Sequence, residues 1–170
     1  MSATDLSPAD LDAGGTYRYR LTRTWDRSQP QVTWVMLNPS TATADTDDPT
    51  IRRVVGFSRR WGFGSAVVVN LFALRATRPG DLVASRCPVG PDNDRAILEA
   101  LSPSSDVVAA WGNHGRTPNP LSGRPRCEEV LDLISGRSKA VRCLARTKQG
   151  QPRHPLYLPA DTVPFHFETI

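Results

Sequence analysis

Asn38 and Asn70 each close an apolar run, and His154 stands before Pro155 in the polar stretch after the last such run. These residue types can do chemistry. An amide donates and accepts at once, so two amides can hold a planar polar ligand, and an imidazole can stabilise a developing anion. A third apolar run ends in Trp111-Gly112-Asn113-His114. If the runs are parallel strands, all these endings share one edge of a sheet, where open α/β folds bind ligands. The same endings also make ordinary turns, because proline cannot donate to a ladder and Asn and Ser favour turns.

The elements that must position them are legible from pattern. Residues 17–22 alternate apolar and polar, which predicts a half-buried antiparallel edge strand. Residues 32–37, 66–72, 106–111 and 139–145 read as strands, the first three buried on both faces. Asp48 suits an N-cap and Pro49 a first helical position, with Ile51, Val54, Val55, Ser58 and Trp61 on one face before Gly62. Helices are also expected over 91–101, with Ile97, Ala100 and Leu101 inward, and over 125–134, with Cys127, Val130, Leu131 and Ile134 inward. Strands alternating with helices predict a three-layer α/β/α fold with a mostly parallel four-stranded central sheet, plus an N-terminal antiparallel edge strand. Residues 1–15 read as a loose lead and 16–170 as a single domain.

Between these elements lie two candidate contact regions. Arg52 and Arg59, and likewise Arg53 and Arg60, coincide after two helical turns, so the four form one basic stripe. A solvated helix face has the same pattern. Residues 115–123 form a Gly/Pro/Asn-rich loop longer than a minimal connector, hence a candidate binding loop.

Composition excludes several classes. At 170 residues, with 39% hydrophobic and 22% charged, the chain suits one ordinary globular core. No apolar run approaches the roughly 20 residues of a membrane span, and the N-terminus lacks a signal-peptide pattern, so no membrane association and a cytoplasmic setting are expected. Cys87, Cys127 and Cys143 are odd in number and form no Cys-x-x-Cys pair. His114, His154 and His166 lack ligand spacing, and Asp45, Asp47 and Asp48 suit turn and cap duty, so no metal or other cofactor is indicated. A net charge of +4 permits an anionic partner, and no obligate protein partner is indicated. There is no Walker loop, Gly-x-Gly-x-x-Gly or Ser/His/Asp order.

The blocks Leu37-Asn38-Pro39-Ser40-Thr41-Ala42, Asp48-Pro49-Thr50-Ile51-Arg52-Arg53, Asn70-Leu71-Phe72-Ala73-Leu74-Arg75 and His154-Pro155-Leu156-Tyr157-Leu158-Pro159 resemble an uncharacterised bacterial domain-of-unknown-function family, from about Tyr19 to Pro159. More distantly, the order of strand-end motifs is similar to the uracil-DNA glycosylase superfamily. That superfamily's first motif, a strand ending in a Gly-x-Asp/Asn-Pro turn, positions the attacking water and matches Asn38-Pro39. Its base-reading asparagine matches Asn70, its apolar-Trp-Gly turn matches Ala110-Trp111-Gly112, and the first half of its His-Pro-Ser-Pro motif matches His154-Pro155. Leu37 and Leu156-Tyr157 depart from the pattern, and the first motif has no acidic residue. No aromatic follows Ser40 to stack on a base, although Phe57, Trp61 or Phe72 could fold in.

The resemblance implies a glycosylase-like hydrolase that cleaves the N-glycosidic bond of a damaged or modified, uracil-like base in DNA, for base-excision repair or defence against phage. Asn38 and His154 would be catalytic, Asn70, Ser40 and Tyr157 would contact the base, and Arg52, Arg53, Arg59 and Arg60 the nucleic-acid backbone. Two alternatives stay open: an enzyme of free nucleosides or nucleotides, and a catalytically idle nucleic-acid-binding module.

Overall fold

The computed structural model describes residues 9–43 and 45–169. In chain order, β1 (Asp10–Leu11), β2 (Arg18–Thr24) and β3 (Gln31–Met36) lead into α1 (Pro49–Arg60). Then come β4 (Ser65–Asn70), α2 (Pro79–Ala84), α3 (Asn93–Leu101), β5 (Ser104–Ala109), α4 (Arg126–Ser135), β6 (Val141–Cys143) and β7 (Phe165–His166). The strands form one mixed sheet of seven in the order β1-β2-β4-β3-β5-β6-β7.

The expected four strands are the centre of this sheet, where β4, β3, β5 and β6 run parallel. Both edges correct the expectation. Asp10–Leu11, placed in a loose lead, pair antiparallel with β2, so β2 is not the edge; residues 1–8 of that lead lie outside the described residues. At the other side β7 pairs antiparallel with β6. Two residues beside Pro164 are too short a run to show a period.

β3 explains why its sequence is continuously apolar. Val32, Trp34 and Met36 pack in one hydrophobic cluster with Val54 and Phe57 of α1, while Val35 packs in the other with Ile97 of α3 and Val130 of α4. Helices therefore cover both faces of the sheet. α1 starts as expected, with Asp48 Oδ1 accepting from the Ile51 amide at 2.8 Å and Pro49 in the first turn. Its buried face is Ile51, Val54, Phe57 and Ser58, with Val55 and Trp61 half-buried against the same cluster; Phe57 is the inward residue not expected there. Phe57 and Trp61 stack at 5.5 Å and Trp61 and Trp34 at 5.6 Å, which builds all three rings into the core. Phe72 is fully buried in the opposite cluster.

Pro79 opens α2, a helix of six residues whose single buried side chain is Leu82. Residues 115–123 are fastened to α4, with Asn119 Nδ2 donating to Glu129 at 3.0 Å and the Ser122 hydroxyl also on Glu129. No helix among the described residues is long and apolar enough to cross a membrane.

Candidate functional site

The polar endings of β3, β4 and β5 meet His154 around one cleft of about 290 Å³. Met36, Ile51, Val68 and Trp111 give it apolar walls, and Asn38, Asn70 and His154 give it polar groups. The parallel centre of the sheet brings them together, because parallel strands end at the same edge.

Asn70 is only 2% exposed, yet its side-chain amide makes no hydrogen bond among the described residues. A side-chain amide at a cleft wall offers a donor and an acceptor to a ligand. Its backbone, by contrast, is clamped. Asn93 Nδ2 donates to the Asn70 carbonyl at 2.9 Å and the Leu71 carbonyl at 3.1 Å, and Arg126 Nε donates to the Leu71 carbonyl at 2.8 Å. Asn93 and Arg126 are themselves buried. Neither was visible as a site residue in the sequence, where each is an unremarked polar residue at the start of a helix.

Asn38 is oriented differently. Its Nδ2 donates to the Ala76 carbonyl at 2.7 Å and the Pro39 carbonyl at 3.3 Å. Two carbonyls fix which end of the amide faces them, leaving Oδ1 as an acceptor beside the cleft. His154 Nδ1 accepts from the Leu156 amide at 3.2 Å, so the ring proton of the neutral form sits on Nε2. Burial pushes the His154 pKa below its ordinary 6.5, against the pull of the nearby Asp48 charge. The ring is therefore a neutral donor at neutral pH.

A wider lobe of about 650 Å³ adjoins this cleft and shares Asn38, Ser40, Thr50 and His154 with it. Asp48 lines that lobe. Burial alone would raise its pKa, but hydrogen bonds from Ser40, Ile51 and Ala42 and the charge of Arg18 outweigh this and lower it. A carboxylate thus stands at the rim after all, supplied from the start of α1 rather than from the turn after β3. Arg18, also missed, lines the cleft while 2% exposed. In the sequence it is one polar position in an alternating strand.

The remaining expected site residues divide. Ser40 lines both lobes, and its Oγ accepts from Arg18 Nη2 at 3.4 Å. Tyr157 lines neither lobe; it is 93% exposed, with a left-handed φ of 66° that holds it out from the surface. The aromatic at the cleft is Trp111, not Phe57, Trp61 or Phe72. The arginine stripe is not one free surface. Arg53 is half-buried, donates to the Leu158 carbonyl and lies over Phe57, while Arg52, Arg59 and Arg60 are exposed, Arg52 donating to the Asp47 carbonyl at 2.9 Å and Arg59 lying over Trp25.

Fold and site define an α/β protein whose parallel strand ends present two asparagines and a neutral histidine to one cleft. Residues 18–156 match the family described as protein of unknown function (DUF1643), and the chain belongs to that family. No curated protein and no solved structure matches it at a significant level.

Proposed function

We propose that this chain is a glycosylase-like hydrolase that breaks the N-glycosidic bond of a uracil-like base, damaged or modified, in a nucleotide of DNA. The observation that carries the reading is that Asn70, 2% exposed, lines the same cleft as the Asn38 acceptor and the neutral His154 donor.

In this reading a water held on Asn38 Oδ1 forms its bond to the sugar C1′ as the C1′–N bond breaks. The electron pair leaves with the base, where His154 Nε2–H stabilises the charge on a base carbonyl oxygen. The proton released by the water ends on the base. The sugar passes through oxocarbenium character, which the ionised Asp48 stabilises through space. Asn70 reads the base edge, offering Oδ1 to a ring N–H and Nδ2 to a carbonyl. Tyr157, exposed on a strained turn, suits a contact with the stack the base leaves.

The test is to incubate the protein with oligonucleotides carrying a panel of damaged and modified bases, then cleave abasic sites with alkali. Strand scission for a carbonyl-bearing base, lost in Asn70→Ala, is the expected result. No scission with any base would refute it. The inward tie of Arg53, to the Leu158 carbonyl and over Phe57, favours a second reading, an enzyme of free nucleotides. Salt separates the two, since binding that tracks a phosphate backbone falls steeply with ionic strength.

A further inference from the structure

We infer that the wider lobe is a phosphate-ester subsite, in which Arg75 contacts the phosphate of the nucleotide whose base enters the smaller lobe. The inference rests on the nucleotide reading above and specifies its substrate further.

Arg18 is the starting point. Its guanidinium is buried, yet its Nη groups reach only neutral acceptors among the described residues: the carbonyls of Ser40 and Ala42 and the Ser40 hydroxyl. No carboxylate lies within 4 Å of it among the described residues, and its Nε has no partner. A buried charge normally has a counter-ion, because desolvating it alone is costly. Desolvation by burial lowers its pKa to about 10, helped by the positive charge of Arg75 and opposed by Asp48. Two cations therefore stand on either side of Ser40, Arg18 in the smaller lobe and Arg75 in the wider one.

Among the described residues Asp48 is the one carboxylate lining either lobe, and its oxygens are occupied by the amides of Ile51 and Ala42 and the Thr41 hydroxyl. With His154 neutral, two positive side chains face one negative, which leaves the double cleft one charge positive. Around Arg75 the lobe presents the hydroxyls of Thr41, Thr50 and Thr77. Arg75 itself is exposed and tied only to the Gly15 carbonyl at 3.2 Å. An exposed guanidinium, hydroxyls and a buried charge behind them are what a tetrahedral phosphate requires. A phosphate here would lie one sugar away from a base against Asn70, since Asn38 and His154 belong to both lobes.

The source can be a free nucleotide or the phosphodiester of a strand, and one titration followed by NMR distinguishes them. The full-length protein is titrated with inorganic phosphate, with deoxyribose 5-phosphate, and with a trinucleotide whose central sugar lacks a base. Phosphate should shift the Arg75 side-chain signal and the Thr50 and Thr77 amides. Arg75→Gln should weaken each ligand roughly tenfold, and Arg137→Gln, exposed and outside both lobes, should leave affinity unchanged. Shifts confined to Arg52 and Arg60, or equal affinity in Arg75→Gln, would overturn the subsite. Tighter binding of the trinucleotide identifies a strand, and equal binding of the monoester a free nucleotide; either result supports the subsite. No arm depends on bond cleavage. Phosphate binding without base release would refute the hydrolase alone, and base release with no response to phosphate would refute the subsite alone.

Discussion

Arg126 holds the backbone behind Asn70, and replacing it should loosen that strand end. Its guanidinium, 1% exposed, donates to the Leu71 carbonyl at 2.8 Å, to Glu129 at 3.0 Å and to Asp94. Arg126→Leu removes all three. The Asp94 arm contributes little, because its carboxylate is 55% exposed and screened. Leu71 keeps Asn93 as a donor, and Glu129, 15% exposed, keeps Asn119 and Ser122 but loses its cation. Breaking a buried pair costs about 3–5 kcal/mol, and the retained partners place this site at the lower end, about 3 kcal/mol. For a chain of this size that lowers Tm by roughly 6–12 °C. Urea unfolding should show a lower midpoint at unchanged m-value. Hydrogen exchange adds a local readout. The Leu71 and Phe72 amides, bonded to the Met36 and Leu37 carbonyls at 2.9 and 3.0 Å, should exchange faster relative to Val67. Arg126→Lys should recover only part, since an ammonium cannot reproduce the guanidinium fork. A loss below about 1 kcal/mol with uniform exchange would refute the reasoning, because desolvation of the guanidinium would then cancel its bonds.

His154 is held neutral, so its folded pKa lies below its unfolded one. The unfolded state then binds the extra proton first, and stability should fall as pH drops from about 6.5 toward the folded value, by at most about 1.4 kcal/mol per pH unit. His154→Gln should flatten that segment of a stability–pH profile, and should slow base release by roughly a hundredfold or more; an unchanged profile would mean that folding does not lower the His154 pKa. Asn70→Asp keeps the shape but loses a donor, so cleavage of carbonyl-bearing bases should fall while any gain appears on amine-bearing ones. Equal loss on both substrates would leave Asn70 as a strand end only. At Gly115 an added Cβ would lie 2.1 Å from Trp111 Cδ1, so Gly115→Ala should displace the indole, costing about 1–3 kcal/mol and altering near-UV circular dichroism. Of the basic stripe, Arg52→Gln with Arg60→Gln should lower the salt slope of DNA binding by nearly two, whereas Arg53→Gln should mainly lower thermal stability by freeing the Leu158 loop.

The elements came through in the sequence wherever burial imposes a period. β3 and β4 are apolar throughout because both faces are covered, and Asp48-Pro49 announces α1 because a cap is a local hydrogen bond. Parallel strands placed at one edge also made Asn38, Asn70 and His154 candidates for one site, and they do line one cleft. The rest depended on distance in space. β1 and β7 are two-residue pairs, stable only against their neighbours and too short to carry a pattern. That Asp48 stands near His154, that the buried Arg18 is hydrogen-bonded to Ser40 and Ala42, and that Asn93 and Arg126 clamp the end of β4 are contacts between residues 22 to 106 positions apart. Likewise Arg53 and Arg60 match in helical phase, and only what α1 packs against separates them. Phase is a property of one helix and is written in sequence; the partner that neutralises a charge, or fails to, is decided by the tertiary fold.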